Sequence, residues 1–182
     1  MIKINILCVG NLKDKFFIDA SAEYLKRLSR FCQCNVKELK EYTNLENTEQ
    51  IKQAEGQEII SNLKGYVILM DVKGKELSSE QFANKIQDIS LSNSEITFVI
   101  GGSYGVSEQV KQKANLQLSV SPMTFPHRLF RVMLLEQLYR AFTILNNISY
   151  HKWTIGSKIL INQNFEIVYT ILFDKLNTSN SF

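Results

Sequence analysis

At 182 residues, with 45% hydrophobic and 21% charged positions, the chain is long enough to bury one sizeable core and too short for two comfortable domains. Its most apolar stretch, 129 to 145, is interrupted by Arg131, Glu136 and Arg140, which excludes a membrane span there, and no basic leader precedes the first strand-like segment. A net charge of +3 is too small to indicate nucleic acid by itself, so the chain reads as a soluble, cytoplasmic protein with no membrane partner.

Residues 2 to 9 alternate Ile2, Ile4 and Ile6 against Lys3 and Asn5, which predicts a strand, and apolar residues from 16 to 28 recur at helical spacing. Residues 34 to 39 read as a second strand. Between 47 and 63, Ile51, Ala54, Ile59 and Leu63 sit among charges, the pattern of an amphipathic helix. Residues 66 to 71 form a continuous apolar run ending in Asp71, as in a strand buried on both faces. Ser78-Ser79-Glu80-Gln81 has capping-box spacing and predicts a helix over 79 to 89. Residues 96 to 100 read as another buried strand, Ser107 as the cap of a short helix, 116 to 120 as a fifth strand and 127 to 147 as a long helix. Strands alternating with helices predict an α/β fold with a mainly parallel sheet. After Lys152 the chain passes through Trp153-Thr154-Ile155-Gly156 into β-rich runs and a polar end, so one domain is expected over 1–152 and an extension of unknown structure over 153–182.

Charge is uneven along the chain. Residues 41 to 60 carry five Glu and one Lys, whereas 109 to 135 contain Lys111, Lys113, Arg128 and Arg131 with no acidic side chain. Such a basic stretch suits a phosphate-bearing partner or an ordinary solvated face. Cys8, Cys32 and Cys34 are an odd set, and the Cys32-x-Cys34 spacing matches neither a zinc pair nor a redox motif; reduced thiols and no metal are expected.

Three of the eight glycines fall in Gly101-Gly102-Ser103-Tyr104-Gly105, between a buried strand and a helix. Such a turn lets backbone amides approach a ligand, although strand-to-helix turns also use glycine without one. The motif is not the dinucleotide fingerprint, and no carboxylate follows to hold a ribose, which disfavours a nicotinamide site. Both prolines, Pro122 and Pro126, lie between the fifth strand and the last helix, giving a stiff loop suited to holding a planar ring or simply to connecting two elements. His127 follows directly, and Arg131 is four positions on, hence on the same helical face. Ser149-Tyr150-His151-Lys152 offers a stacking ring and donors suited to a base and its phosphate, or a polar exit turn. The last helix is apolar nearly all round, so a partner subunit is the expected second cover, giving a homodimer.

Leu69-Met70-Asp71 with Gly74-Lys75 and Ser78-Ser79-Glu80, Phe98-Val99-Ile100 with the glycine turn, Met123-Thr124-Phe125-Pro126-His127, Arg131-Val132, Glu136-Gln137-Leu138-Tyr139-Arg140-Ala141 and Tyr150-His151-Lys152 follow one another in this order. In that combination, from Met1 to Lys152, the chain resembles the ribosomal large-subunit methyltransferases that modify N3 of a pseudouridine, members of the SPOUT superfamily with its trefoil-knotted α/β fold. The resemblance implies S-adenosylmethionine as cofactor, bent in a knotted crevice against the backbone of three loops. By position these are Met70, Gly101, and the segment Val120, Ser121, Pro122, Met123, Thr124 and Phe125. It further implies 23S RNA as substrate, methylated at N3 of the pseudouridine at position 1915 on the assembled ribosome, and a homodimer in which Tyr150 and His151 of each subunit help complete the site of the other. The extension after Lys152 departs from the family, whose chains stop near the Tyr-His-Lys segment; it would matter if a free carboxyl end served the substrate.

Methyl transfer to N3 requires loss of the imino proton, so a site must supply a base or stabilise the anion. The expected catalytic set is His127, Arg131, Tyr150 and His151, with His127 and Arg131 stabilising the base or a nearby phosphate; no carboxylate stands out as the proton acceptor. The alternatives are a non-catalytic RNA- or nucleotide-binding dimer using the same loop, and a ligand-free structural dimer.

Overall fold

The computed structural model describes residues 1–150; the expected extension at 153–182, with His151 and Lys152, lies outside the described residues. The elements alternate as expected: β1 (Lys3–Val9), α1 (Lys15–Leu28), β2 (Gln33–Leu39), α2 (Thr48–Asn62), β3 (Tyr66–Glu76), α3 (Ser79–Ser92), β4 (Glu95–Ile100), α4 (Glu108–Lys113), β5 (Leu116–Ser119) and α5 (His127–Leu145). The sheet has the order β2-β1-β4-β3-β5 and every pairing is parallel.

Side-chain alternation divides the core between the two faces of the sheet. Ile4, Ile6 and Cys8 of β1 and Ile96, Phe98 and Ile100 of β4 join Leu28, Ile86 and Leu135 in one cluster, on the side of α1, α3 and α5. Leu7, Val9, Val67, Leu69 and Val99 meet Ile59 of α2 and Val110 of α4 on the other side. Helices on both faces explain why β3 and β4 read as continuous apolar runs.

Local chemistry sets several boundaries. Ser78 and Gln81 form the full capping box that starts α3: Gln81 N donates to Ser78 Oγ at 3.2 Å and Ser78 N to Gln81 Oε1 at 2.9 Å. Ser107 occupies the cap position of α4, but its side chain makes no capping bond; its Oγ is buried beside Gly56.

Two expectations need correction. β3 does not end at Asp71. Leu118 pairs with both Met70 and Lys75, so residues 71–74 leave the ladder, with Asp71 Oδ1 accepting from Lys73 N at 2.9 Å, and the chain then returns to β5. Tertiary pairing beyond a local bulge extends the strand, which an apolar run cannot reveal. The cover of α5 is also largely internal: α1 and α3 both pack against it above the sheet, burying Leu134, Leu135, Leu138, Ala141 and Phe142. Its apolar circumference therefore does not by itself demand a partner.

At Gly74 the returning chain crosses β5 so closely that a methyl group would lie 2.5 Å from the carbonyl carbon of Leu118. That neighbour is backbone and cannot swing aside. Gly74→Ala is expected to lower stability by about 2 kcal/mol, the usual scale for overpacking, read as a shift in the urea midpoint at constant slope.

Candidate active site

Because all five strands are parallel, their carboxyl ends share one edge, the place where open α/β sheets bind ligands. Met70 pairs with Ile100 on one side and Leu118 on the other. The glycine turn after β4 and the proline loop after β5 thus flank the Met70 excursion, about 10 Å apart at two strand spacings. Gly102 and Gly105 close their turn with a bridge in which Gly105 N donates to Gly102 O at 3.0 Å. In the proline loop, Ser121 N donates to Ser119 Oγ at 3.2 Å and Met123 N to Ser121 Oγ at 3.0 Å. Val72, Tyr104, Val120 and Met123, spread over the three loops, are exposed large apolar side chains, and Met123 keeps 64% of its surface accessible. Uncovered apolar groups beside backbone-rich turns suit a flat, partly apolar ligand such as adenosine.

Beneath this edge sits a buried cation. Arg131 is 1% exposed; its Nη1 donates to Glu38 Oε1 at 2.5 Å and its Nη2 to the carbonyl of Gly10 at 2.8 Å. Glu38 Oε1 also accepts from Leu12 N at 2.9 Å. Gly10, immediately after β1, has φ +83°, a left-handed conformation that favours glycine. A methyl group there would lie 3.2 Å from Glu41 Oε2 and 3.6 Å from His127 Nε2. Arg131 and His127 thus share a helical face as expected, but that face turns inward onto the loop after β1. Glu38 and Gly10 engage Nη1 and Nη2 of Arg131, while its Nε is buried without a hydrogen-bond partner among the described residues.

His127 Nε2 is buried without a hydrogen-bond partner among the described residues. Burial pushes the imidazole below its ordinary 6.5; Glu41 opposes this, and Arg128 and Arg131 reinforce it, so the ring is neutral at pH 7. A second buried group, Glu55 of α2, is 2% exposed. Its Oε1 accepts from Tyr42 N at 3.2 Å, and its Oε2 would lie 2.7 Å from a methyl at Gly102. Burial, helped by the Glu41 carboxylate, pushes the Glu55 carboxyl up against the lowering effect of Tyr42 N–H. Cys8, paired with Ile100 in the sheet, is also buried, and burial raises its thiol to about 12 despite Arg131.

Tyr150 lies at the other end of α5. Nineteen residues at 1.5 Å each separate the ends of that helix by about 28 Å. Its hydroxyl donates to Glu136 Oε1 at 3.3 Å, its ring meets Tyr139 edge-on at 4.8 Å, and Arg140, ion-paired to Glu136 at 2.5 Å, sits 5.0 Å from the ring centroid. Burial pushes its phenol up. Within one chain, Tyr150 is therefore not at the carboxyl edge.

Residues 2–151 match the family model described as "Predicted SPOUT methyltransferase". The chain belongs to the SPOUT methyltransferase family. A curated relative from Clostridium acetobutylicum, named ribosomal RNA large subunit methyltransferase H, is 49% identical over 157 residues, 82% of this chain and 99% of the relative. One from Desulforamulus reducens with the same name is 44% identical over 160 residues, 84% of this chain and 100% of that one. The fold also resembles the crystal structure of a tRNA (m1G37) methyltransferase from Aquifex aeolicus, with a TM-score of 0.50 at 13% identity, covering 97% of this chain and 91% of that one.

In this SPOUT chain the positions expected to hold a cofactor, Met70, Gly101 and 120–125, converge on one edge, and His127 borders them. Tyr150 is remote and His151 lies outside the described residues. Three of the four cations of the basic stretch are paired in three dimensions, Lys111 with Glu108 at 2.6 Å, Arg128 with Asp14 at 3.3 Å and Arg131 with Glu38, while Lys113 is exposed. The structure also brings Gly10, Glu38, Glu41 and Glu55 to this edge, which the sequence reading did not single out. Gly10 directly after β1 carried the same signal as the glycine turn, while Glu55 was hidden in an acid-rich stretch that reads as solvated. Among the described residues no group of three His, Cys, Asp or Glu side chains could hold a metal ion, and no helix is long and apolar enough to cross a membrane.

Arg131→Lys keeps the charge but loses the two-pronged grip. Since the Glu38 side chain stays 37% accessible and can rehydrate, a loss of about 2 to 3 kcal/mol is expected in denaturant titration, below the full cost of stranding a buried ion. For His127 the folded state binds the proton less tightly than the unfolded state, so stability falls as pH drops below about 6.5. His127→Gln is expected to flatten that part of the Tm-against-pH profile.

Proposed function

We propose that this protein is a cytoplasmic, S-adenosylmethionine-dependent methyltransferase that acts on N3 of a pseudouridine in 23S ribosomal RNA, on the assembled ribosome and at the position-1915 nucleotide that the family resemblance implies. The observation that carries the reading is the register of β3 between β4 and β5, which sets three backbone-rich, apolar-edged loops side by side in a chain of this family. The names of the relatives supply the RNA class.

Met70, Gly101 and Val120, Ser121, Pro122, Met123, Thr124 and Phe125 would hold the cofactor, their backbone facing the adenosine and Val120 and Met123 screening it from water. When bound, S-adenosylmethionine supplies an electrophilic methyl group on a sulfonium. The chain supplies position and proton acceptance. His127, neutral at pH 7 and half-buried at this edge, is the candidate to take the imino proton as N3 becomes the nucleophile, through the part of the ring that stays accessible, since its Nε2 is packed beside Gly10. Arg131 acts through the Gly10 loop, which it anchors beside the imidazole. Tyr150 and His151 enter this site from the partner of a homodimer. That arrangement is supported by Tyr150, whose hydroxyl sits on Glu136, about 14 Å along α5 from His127, and by the half-buried Leu129 and Met133, which give the helix an apolar strip for a second copy.

Calorimetry with S-adenosylmethionine and mass mapping of ribosomal RNA test the reading. His127→Ala is expected to lower kcat about 100-fold, the usual scale for a general base, with cofactor affinity unchanged. Mixing inactive His127→Ala and Tyr150→Ala chains should restore one intact site per mixed dimer and hence measurable methylation. RNA binding without cofactor binding would instead indicate a non-catalytic module.

A further inference from the structure

A depression lies at the opposite, amino edge of the sheet, walled by residues just before β2, β1 and β4 and by the ends of α3 and α5. Its volume is about 590 Å³, within the range of small-molecule sites. Phe31 lines it with a half-buried ring, backed by the buried Phe142, whose ring is stacked parallel to it at 5.9 Å. Gln87, Asn93 and Asn146 bring side-chain amides. The Nδ2 of Asn93 donates to Ile89 O at 3.1 Å and that of Asn146 to Phe142 O at 2.8 Å, which fixes both amides and presents their oxygens as acceptors. Among the described residues its lining includes the Arg30 guanidinium and Met1, and no Asp or Glu side chain. Lys26 and Arg27 complement the carboxyl end of α1, but Arg30 lies beyond that helix, on the rim.

We infer that this depression binds one nucleotide of single-stranded RNA outside the methylated residue, its base against the Phe31 ring and the amides, and its phosphate on Arg30. A half-exposed ring, fixed hydrogen-bonding amides and a guanidinium match the faces, edges and charge of a nucleotide. The inference deepens the RNA reading above, on which its biological meaning rests. About 28 Å of α5 separates this contact from His127, so it anchors the substrate away from the methyl-transfer loops.

The test titrates a uridylate hexamer into ¹⁵N-labelled full-length protein at fixed salt, alongside calorimetry with S-adenosylmethionine. Side-chain amide signals of Asn93 and Asn146 should shift. Arg30→Glu and Ser94→Glu, both at exposed positions, should each weaken hexamer binding at least tenfold, with unaltered Tm and cofactor affinity. Hexamer affinity within twofold of the parent in both variants, no binding at all, or shifts confined to the carboxyl edge would overturn the inference; a depression covered by a second copy or a protein partner falls among these outcomes. Failure to bind S-adenosylmethionine with the hexamer still seated at the amino edge would sink the methyl-transfer reading and leave the nucleotide site standing.

Discussion

A guanidinium cut off from water organises the carboxyl edge of this molecule. Arg131 gives up its hydration to grip Glu38 at the end of β2 and the Gly10 carbonyl after β1, while its own backbone belongs to the second turn of α5. Three chain segments distant in sequence are thereby locked at one point. Arginine suits the task because its planar fork directs two donors at once, where an ammonium would act as a point charge. Such a pair adds little net stability over an apolar replacement, since desolvation offsets most of the attraction. What it fixes is direction: Gly10 is held in a left-handed conformation against Glu41 and His127, and the start of α5 cannot rotate without stranding a charge.

That anchoring gives the two sides of the carboxyl edge different character. The β3, β4 and β5 loops carry exposed apolar side chains over backbone, suited to seating a ring. The β1 and β2 side holds Glu41 beside one neutral imidazole and Glu38 on Arg131, with the buried Glu55 near Gly102. A polar, partly desolvated corner beside an apolar shelf is an arrangement in which a proton can leave while a flat group is held still. The topology creates the division, because β1 leads back to β2 and β4 leads on across β3 to β5.

Much of this was legible in the residues. Buried parallel strands appear as unbroken apolar runs, and 66–70 and 96–100 were recognisable as strands for that reason. The capping box at Ser78 and the proline loop before His127 act over a few positions, so local chemistry announced them. The glycine turn stood out because three glycines fall within five residues. Hidden were features decided by pairing at a distance. Glu38 lies 93 positions from Arg131, and Asp14 lies 114 from Arg128, so two cations that looked uncompensated were already paired. The excursion at 71–74 depends on where β5 docks, and no periodicity encodes that. Periodicity alone reached an α/β class; the family resemblance carried the rest of the fold assignment, and residues 2–151 match that family.

Cys8 shows what the burial of β1 accomplishes chemically. It pairs with Ile100, one residue before the glycine turn, and sulfur is a strong nucleophile only as the thiolate. With its thiol raised to about 12, that sulfur stays protonated throughout the physiological range. An alkylating molecule resting against the turn would therefore meet no Cys8 thiolate in the wall behind it. The hydrophobic interior works here as insulation, sparing the protein from becoming the victim of a reactive guest.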